Sequence, residues 1–144
     1  MVLSRLLLFG LLPGALWSSP ARADEAEVQS CVRAKVHEAF GEGWSVRTST
    51  TASLKHAETD VYAITMQAGN SYKLMACADA GITDVGLFLY DAEGTLLQSD
   101  PSKDREPVLQ FTATSSGRYF VVVQAAAMAA GTPQGSVATA VVFK

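Results

Sequence analysis

Beyond Trp44 the sequence changes to a period of two, and this change constrains the fold more than any other feature. Short segments rich in β-branched and aromatic residues are separated by turn signals such as AGN at 68–70 and SSG at 115–117. Many short strands joined by tight turns are typical of an antiparallel β-sandwich. The predicted strands are 44–51, 61–66, 71–78, 85–90, 95–99, 108–114, 118–124 and 136–143. The segment 125–135 is expected to be a loop.

A single helix is predicted ahead of these strands, over residues 24–40. Acidic side chains near its start complement the helix dipole, and Gly41 and Gly43 end it. An apolar stripe with a spacing of three to four residues indicates that one side of the helix packs against protein. The stripe consists of Val28, Cys31, Val32, Val36, Ala39 and Phe40.

The first 23 residues have the layout of a secretory signal peptide. Arg5 precedes an apolar core at 6–12, and Ala21-Arg22-Ala23 provides small residues for a cut after Ala23. The apolar run is interrupted from Pro13 onward, well short of the roughly 20 residues of a membrane-spanning helix. The mature chain is therefore expected in the periplasm or outside the cell, without membrane insertion.

The charge of the predicted mature chain argues against nucleic-acid binding. Arg5 and Arg22 leave with the signal peptide, so nine Lys and Arg remain against 14 Asp and Glu, a formal charge of −5. A nucleic-acid partner requires a basic face, which this balance does not supply. The predicted organisation is a signal peptide (1–23), a helix packed on the sandwich (24–43) and one β-sandwich domain (44–144).

Cys31 and Cys77 are the two cysteines of the chain, and they are expected to form one disulfide in an oxidising compartment. Alternation along the strand places Cys77 on the same side as Met75 and opposite Tyr72 and Leu74, which are assigned to the inter-sheet core. Apolar atoms on an outer face are unfavourable in water unless another element packs over them. The helix, with Cys31 on its apolar stripe, is the predicted cover.

The same alternation places Phe88, Tyr90 and Phe120 on the face opposite the predicted core. Two interpretations remain open for these aromatic side chains. They form an exposed patch of the kind that glycan-binding sandwiches use, or the helix covers them too.

The stretch LFLYDAEGTLLQSD, residues 87–100, contains an Asp-x-Glu-Gly sequence that is compatible with a calcium loop or with a hairpin turn. The turn is favoured, because a calcium loop needs further oxygen ligands and an acid after the glycine, and 95–98 contains none. Gly94 is expected to adopt a positive φ. Asp91 is expected to accept a hydrogen bond from the backbone N–H two residues on.

Three segments occur in an order that resembles the bacterial pre-peptidase C-terminal domain: DVYAITMQAGNSYKLMA, TDVGLFLYDAEGTLLQSD and VLQFTATSSGRYFVVV. The resemblance covers roughly residues 50–125. It implies a jelly-roll-like β-sandwich of secreted bacterial proteins that is itself non-catalytic and binds calcium or matrix proteins in some relatives. No protease domain accompanies it in this sequence, and a helix with a cysteine precedes it, so a free-standing module is expected.

Asp79 and Asp84 bracket a predicted loop between two strands and are the candidate calcium ligands, since calcium prefers carboxylate oxygens. Their alternative role is to start turns and keep loops solvated. His37 and His56 lack the spacing of a zinc site and are expected to be exposed. No Gly-x-Ser-x-Gly elbow supports a nucleophilic serine.

The sequence therefore predicts a non-catalytic binding or interaction module of a bacterial envelope or secreted system, with a protein or glycan partner. No cofactor is expected other than possible calcium. The alternative is a calcium-dependent adhesion module for a glycan or matrix protein, and the third class considered is a small hydrolase.

Overall fold

The computed structural model describes Gly14 and residues 20–144, with the backbone alone for residues 20–23. The predicted signal peptide lies outside the described residues except for Gly14 and its last four positions. Helix α1 runs from Pro20 to Gly41, so it begins inside that predicted segment. Within the described residues, no helix has both the length and the hydropathy needed to span a bilayer.

Eight strands follow α1 and form two four-stranded antiparallel sheets, which confirms the predicted β-sandwich. The order in one sheet is β1-β8-β3-β6 and in the other β2-β7-β4-β5. This arrangement is that of an eight-stranded jelly roll. The strands are β1 (Ser45–Leu54), β2 (Thr59–Met66), β3 (Ser71–Ala78), β4 (Ile82–Tyr90), β5 (Leu96–Ser99), β6 (Val108–Thr112), β7 (Gly117–Met128) and β8 (Gly135–Phe143).

The core between the two sheets follows the predicted alternation. On β3, Tyr72 and Leu74 point inward, and on β7, Val121 and Val123 do so. The Tyr72 hydroxyl is bonded to the backbone of Gln67 at 2.7 Å, so its polar end is satisfied. Successive side chains on each strand therefore face alternately the core and the outside.

Helix α1 packs against β8, β3 and β1, and so covers the outer face of one sheet, here called the helix-covered sheet. Beneath it lies a second apolar cluster that includes Val28, Val32, Met75 and Cys77. Phe40, predicted to belong to the apolar stripe, is instead 69% exposed. Because a helix turns once per 3.6 residues, positions spaced by four drift around its axis, and Ala39 is buried in place of Phe40.

Two segments predicted as loops are partly strand. Strand β7 continues to Met128, four residues into the expected loop at 125–135, because its last residues pair with the beginning of β4. Strand β4 begins at Ile82, so Asp84 lies within a strand. The register shifts on both sides of Asp84, which explains why this stretch lacks a regular alternation in sequence.

Candidate functional site

The outer face of the sheet β2-β7-β4-β5, here called the open sheet, is apolar and exposed. In the described part of the chain α1 is the one helix, and it lies on the other sheet. Val61 is 54% exposed and Leu96 is 49% exposed, while Phe88, Tyr90 and Phe120 are half-buried. The aromatic residues that the sequence left ambiguous therefore belong to an exposed patch.

Two cross-strand rows make up this patch, which is called the uncovered face below. In one row Val61 pairs with Val122, which pairs with Phe88. The other row crosses all four strands of the open sheet, and each residue in it pairs with the next residue on the adjacent strand. The members of this second row are Ala63, Phe120, Tyr90 and Leu96. Neither row contains a charged side chain, and Arg118 precedes Phe120 by two positions at one end of the face.

Gly86 leaves room for an aromatic ring on this face. A Cβ at position 86 would lie 2.7 Å from the Phe88 ring, so the ring occupies the space above the glycine. Glycine in a strand interior commonly marks such a close approach. A side chain at position 86 would therefore displace the Phe88 ring from this face.

Val61 and Leu96 were not identified from the sequence, although a signal was present for Val61. In VYAITM, Val61 alternates with Tyr62 and Ile64, which face the core, so its outward direction could have been inferred. Leu96 had no such signal, because the register between β4 and β5 shifts between Leu89 and Tyr90.

The hairpin turn at 91–94 is confirmed. Gly94 has φ 83°, in the left-handed region that glycine favours. The Asp91 Oδ1 accepts from the N–H of Glu93 at 3.0 Å and from that of Thr95 at 2.8 Å. Asp91 is therefore occupied in holding the turn.

Asp79 and Asp84, the candidate calcium ligands, lie in different environments. Asp79 is buried, and its two oxygens accept from the N–H of Gly81 and that of Ser136, each at 2.8 Å. Asp84 is half-buried in β4. Because the described residues contain no set of three metal-ligating side chains that includes either aspartate, calcium binding there stays a prediction.

The acidic loop 100–107 connects the two sheets and is held by Asp100. Its Oδ1 accepts from the Ser102 N–H and hydroxyl, and its Oδ2 accepts from the Val108 N–H at 2.7 Å. Partial burial acts to raise the pKa of Asp100, but these hydrogen bonds outweigh it and hold the pKa below its ordinary value. The Asp100 carboxylate therefore holds the two ends of this loop together.

The structure has the predicted disulfide between Cys31 and Cys77, with the Cα atoms 6.1 Å apart. Glu106 Oε1 lies 3.0 Å from Cys31 Sγ, and Lys35 Nζ lies 3.5 Å from the same oxygen. A disulfide sulfur has no proton to donate, so the Glu106 contact is not a hydrogen bond, and Lys35 balances the carboxylate charge. With both sulfurs bonded to each other, this cluster offers no thiolate to a metal.

The other candidates are dispersed. His37 lies on the exposed side of α1, and His56 lies in the exposed β1–β2 connection. Ser115 and Ser116 form the β6–β7 turn, where the Ser116 hydroxyl accepts from the Ala68 N–H at 2.8 Å. The turn interpretation of these serines agrees with that contact.

Comparisons with known proteins agree with the fold. The bacterial pre-peptidase C-terminal domain family matches residues 58–125 of the chain. No curated protein matches its sequence. The fold is similar to that of Aeromonas hydrophila PliG, a periplasmic lysozyme inhibitor of g-type lysozyme, at 16% identity with a TM-score of 0.52, covering 72% of this chain and 90% of that one.

A second similar structure is the pre-peptidase C-terminal domain of collagenase from Bacillus anthracis. It shares 17% identity with a TM-score of 0.51, covering 67% of this chain and 89% of that one. At these identities the likeness concerns the fold. The family match over residues 58–125, the order of the motifs and the eight-stranded sandwich agree with one another, so this part of the chain resembles a bacterial pre-peptidase C-terminal domain.

Proposed function

We propose that this protein is an exported, non-catalytic binding module that docks a protein partner on the uncovered face. The observation that carries the proposal is the pair of cross-strand rows, which place seven apolar residues side by side without a charge. Contiguous exposed apolar patches on soluble domains commonly mark sites of interaction. The opposite sheet has no such patch among the described residues, because α1 covers it.

The composition of the uncovered face favours a protein over a glycan. Val61, Leu96 and Val122 are aliphatic, and Phe88 and Phe120 carry no polar atom. A sugar site needs several convergent polar groups to fix the orientation of its hydroxyls. The centre of a protein interface is instead aromatic and depleted in charge. A partner with a complementary apolar strip and a polar rim fits this face.

Two further observations support the proposal. PliG, which shares the fold, is an inhibitor of g-type lysozyme, which is itself a protein. The disulfide between Cys31 and Cys77 and the signal-like segment at 1–23 are typical of an exported chain.

Site-specific photo-crosslinking in the producing cell tests the proposal. A photo-reactive residue at Leu96 is expected to give one discrete adduct, with a protein other than this chain identified by mass spectrometry. The Val61→Asp variant should remove that adduct, because it places a charge in one of the two apolar rows of the docking surface. Val46→Asp is the matched control, since Val46 is similarly exposed, at 50%, on the other sheet.

An absent adduct at Leu96, or one that survives Val61→Asp, would contradict the proposal. Calcium-dependent adhesion predicts a different result: the adduct should disappear when calcium is chelated, and Asp84→Ala should have the same effect. Calorimetry with calcium on the purified protein provides the direct measurement of that alternative.

A further inference from the structure

Three of the four strand edges of the sandwich are protected against pairing with another chain. Strands β5 and β6 are short, with four and five residues. Strand β2 carries an inward-directed charge at its edge, since Asp60 pairs with Val123, whose side chain lies in the core. Short edge strands and inward-pointing charges are recognised ways in which sheets avoid edge-to-edge association.

The edge of β1 lacks these protections. Strand β1 is ten residues long, and after an irregularity between Val46 and Thr48 it pairs regularly with β8 along one side. Its segment Thr48–Leu54, TSTTASL, contains neither proline nor a charged residue. Among the described residues no strand pairs with its other side. A long regular edge of this kind is a template for an added strand.

A buried hydroxyl lies next to this edge without a partner. Tyr62 points inward from β2, and no described residue completes a hydrogen bond to its hydroxyl. Burial raises the pKa of the phenol, while the nearby Thr50 side chain acts to lower it, which places the two groups together. Leaving a buried polar group unsatisfied is unfavourable, so the hydroxyl would gain from a donor or acceptor arriving at the edge.

We propose that β1 pairs antiparallel with β1 of a second copy, in a two-fold dimer centred on Thr50 that joins the two helix-covered sheets. In this register Ser49 faces Thr51 of the second copy, and Thr48 faces Ala52, so no like charges lie directly opposite within the regular part of the strand. The two Thr50 side chains then meet at the two-fold axis, each near the Tyr62 hydroxyl of its own copy. A self-complementary patch of this kind is what two-fold symmetry requires.

Sedimentation velocity of the exported protein, from micromolar to near-millimolar concentration, tests the proposal. We expect a concentration-dependent dimer. The double variant S49K/T51K should weaken self-association by about tenfold or more, because the two-fold register opposes lysines from both copies and edge lysines block strand addition. The matched control is T114K/A130K, which adds the same charge at exposed positions outside β1 and should leave the dimer intact.

Circular dichroism establishes that S49K/T51K is folded, and Thr50→Cys provides a second measurement. At the centre of the dimer the two introduced thiols are directly opposite, so a disulfide-linked dimer should form on mild oxidation, whereas Thr114→Cys should stay monomeric. A wild-type monomer at every concentration would overturn the proposal and leave the edge to an extended segment of another protein. A dimer that S49K/T51K preserves and Val61→Asp removes would overturn it in favour of the uncovered face.

Discussion

At the scale of single residues, the acidic side chains of the loops are used to hold backbone. Asp79, Asp91 and Asp100 each accept two or more hydrogen bonds from groups in or beside a turn. The same carboxylate oxygens that would suit calcium are also suited to backbone N–H groups. Sequence cannot distinguish these uses when the bonds are long-range, as from Ser136 to Asp79.

Replacing Asp91 should lower stability without changing the response to calcium. Asp91→Ala removes the acceptor for the N–H groups of Glu93 and Thr95, and by analogy with helix caps the loss should be about 0.5–2 kcal/mol. Urea unfolding, with and without calcium, measures both quantities. Glu93→Ala is the control, because Glu93 is exposed in the same turn. A calcium-induced rise in melting temperature that Asp91→Ala abolishes would contradict the turn assignment.

Asp100 should make the free energy of unfolding decrease at acidic pH. Its pKa is lowered in the folded state, so its contribution to stability is present above the pKa of the unfolded chain and is lost as the pH falls through the folded value. Asp100→Asn should therefore flatten the dependence of unfolding free energy on pH below about pH 5. Urea unfolding at a series of pH values measures this. An equally steep dependence in the variant would assign the acid sensitivity to other groups.

At the scale of elements, sequence periodicity predicted each strand, and it failed where an element bends or rotates. The inward positions of β3 and β7 follow from strict alternation. Phe40 was misassigned because the helix period is not four, and the end of β7 was missed because alanines carry no clear pattern. Which sheet the helix covers depends on long-range packing, and the position of Cys77 beside Met75 was the one local indication of it.

Breaking the disulfide should loosen α1 before the sandwich. Cys31 and Cys77 are separated by 46 residues, a loop for which chain entropy gives an upper figure of roughly 4 kcal/mol. The sandwich keeps its own inter-sheet core, whereas α1 is left with Val28, Val32 and Ala39 as its buried contacts. Hydrogen exchange after reduction should therefore accelerate in α1 and change little in β3 and β7. Equal acceleration in the sheets would contradict this order.

At the scale of the whole molecule, the two outer faces of the sandwich differ in whether a helix covers them. One is closed by α1 and a disulfide, and its cluster under the helix is buried. The other keeps aromatic and aliphatic side chains at the surface. Since exposed apolar area is unfavourable in water, the contiguous apolar rows on this face are the structural argument for a partner.

The N terminus of the exported protein should be Asp24. In the uncut chain α1 runs through the predicted cleavage point after Ala23, and proteases favour exposed, irregular segments, so the cut should precede docking of the helix. The trimmed helix would then begin with Asp24, Glu25 and Glu27 in its first turn, where the dipole favours acids. Intact mass of the non-reduced product measures the start directly. A lipid on Cys31 would contradict this prediction, since Cys31 would then be unavailable to Cys77.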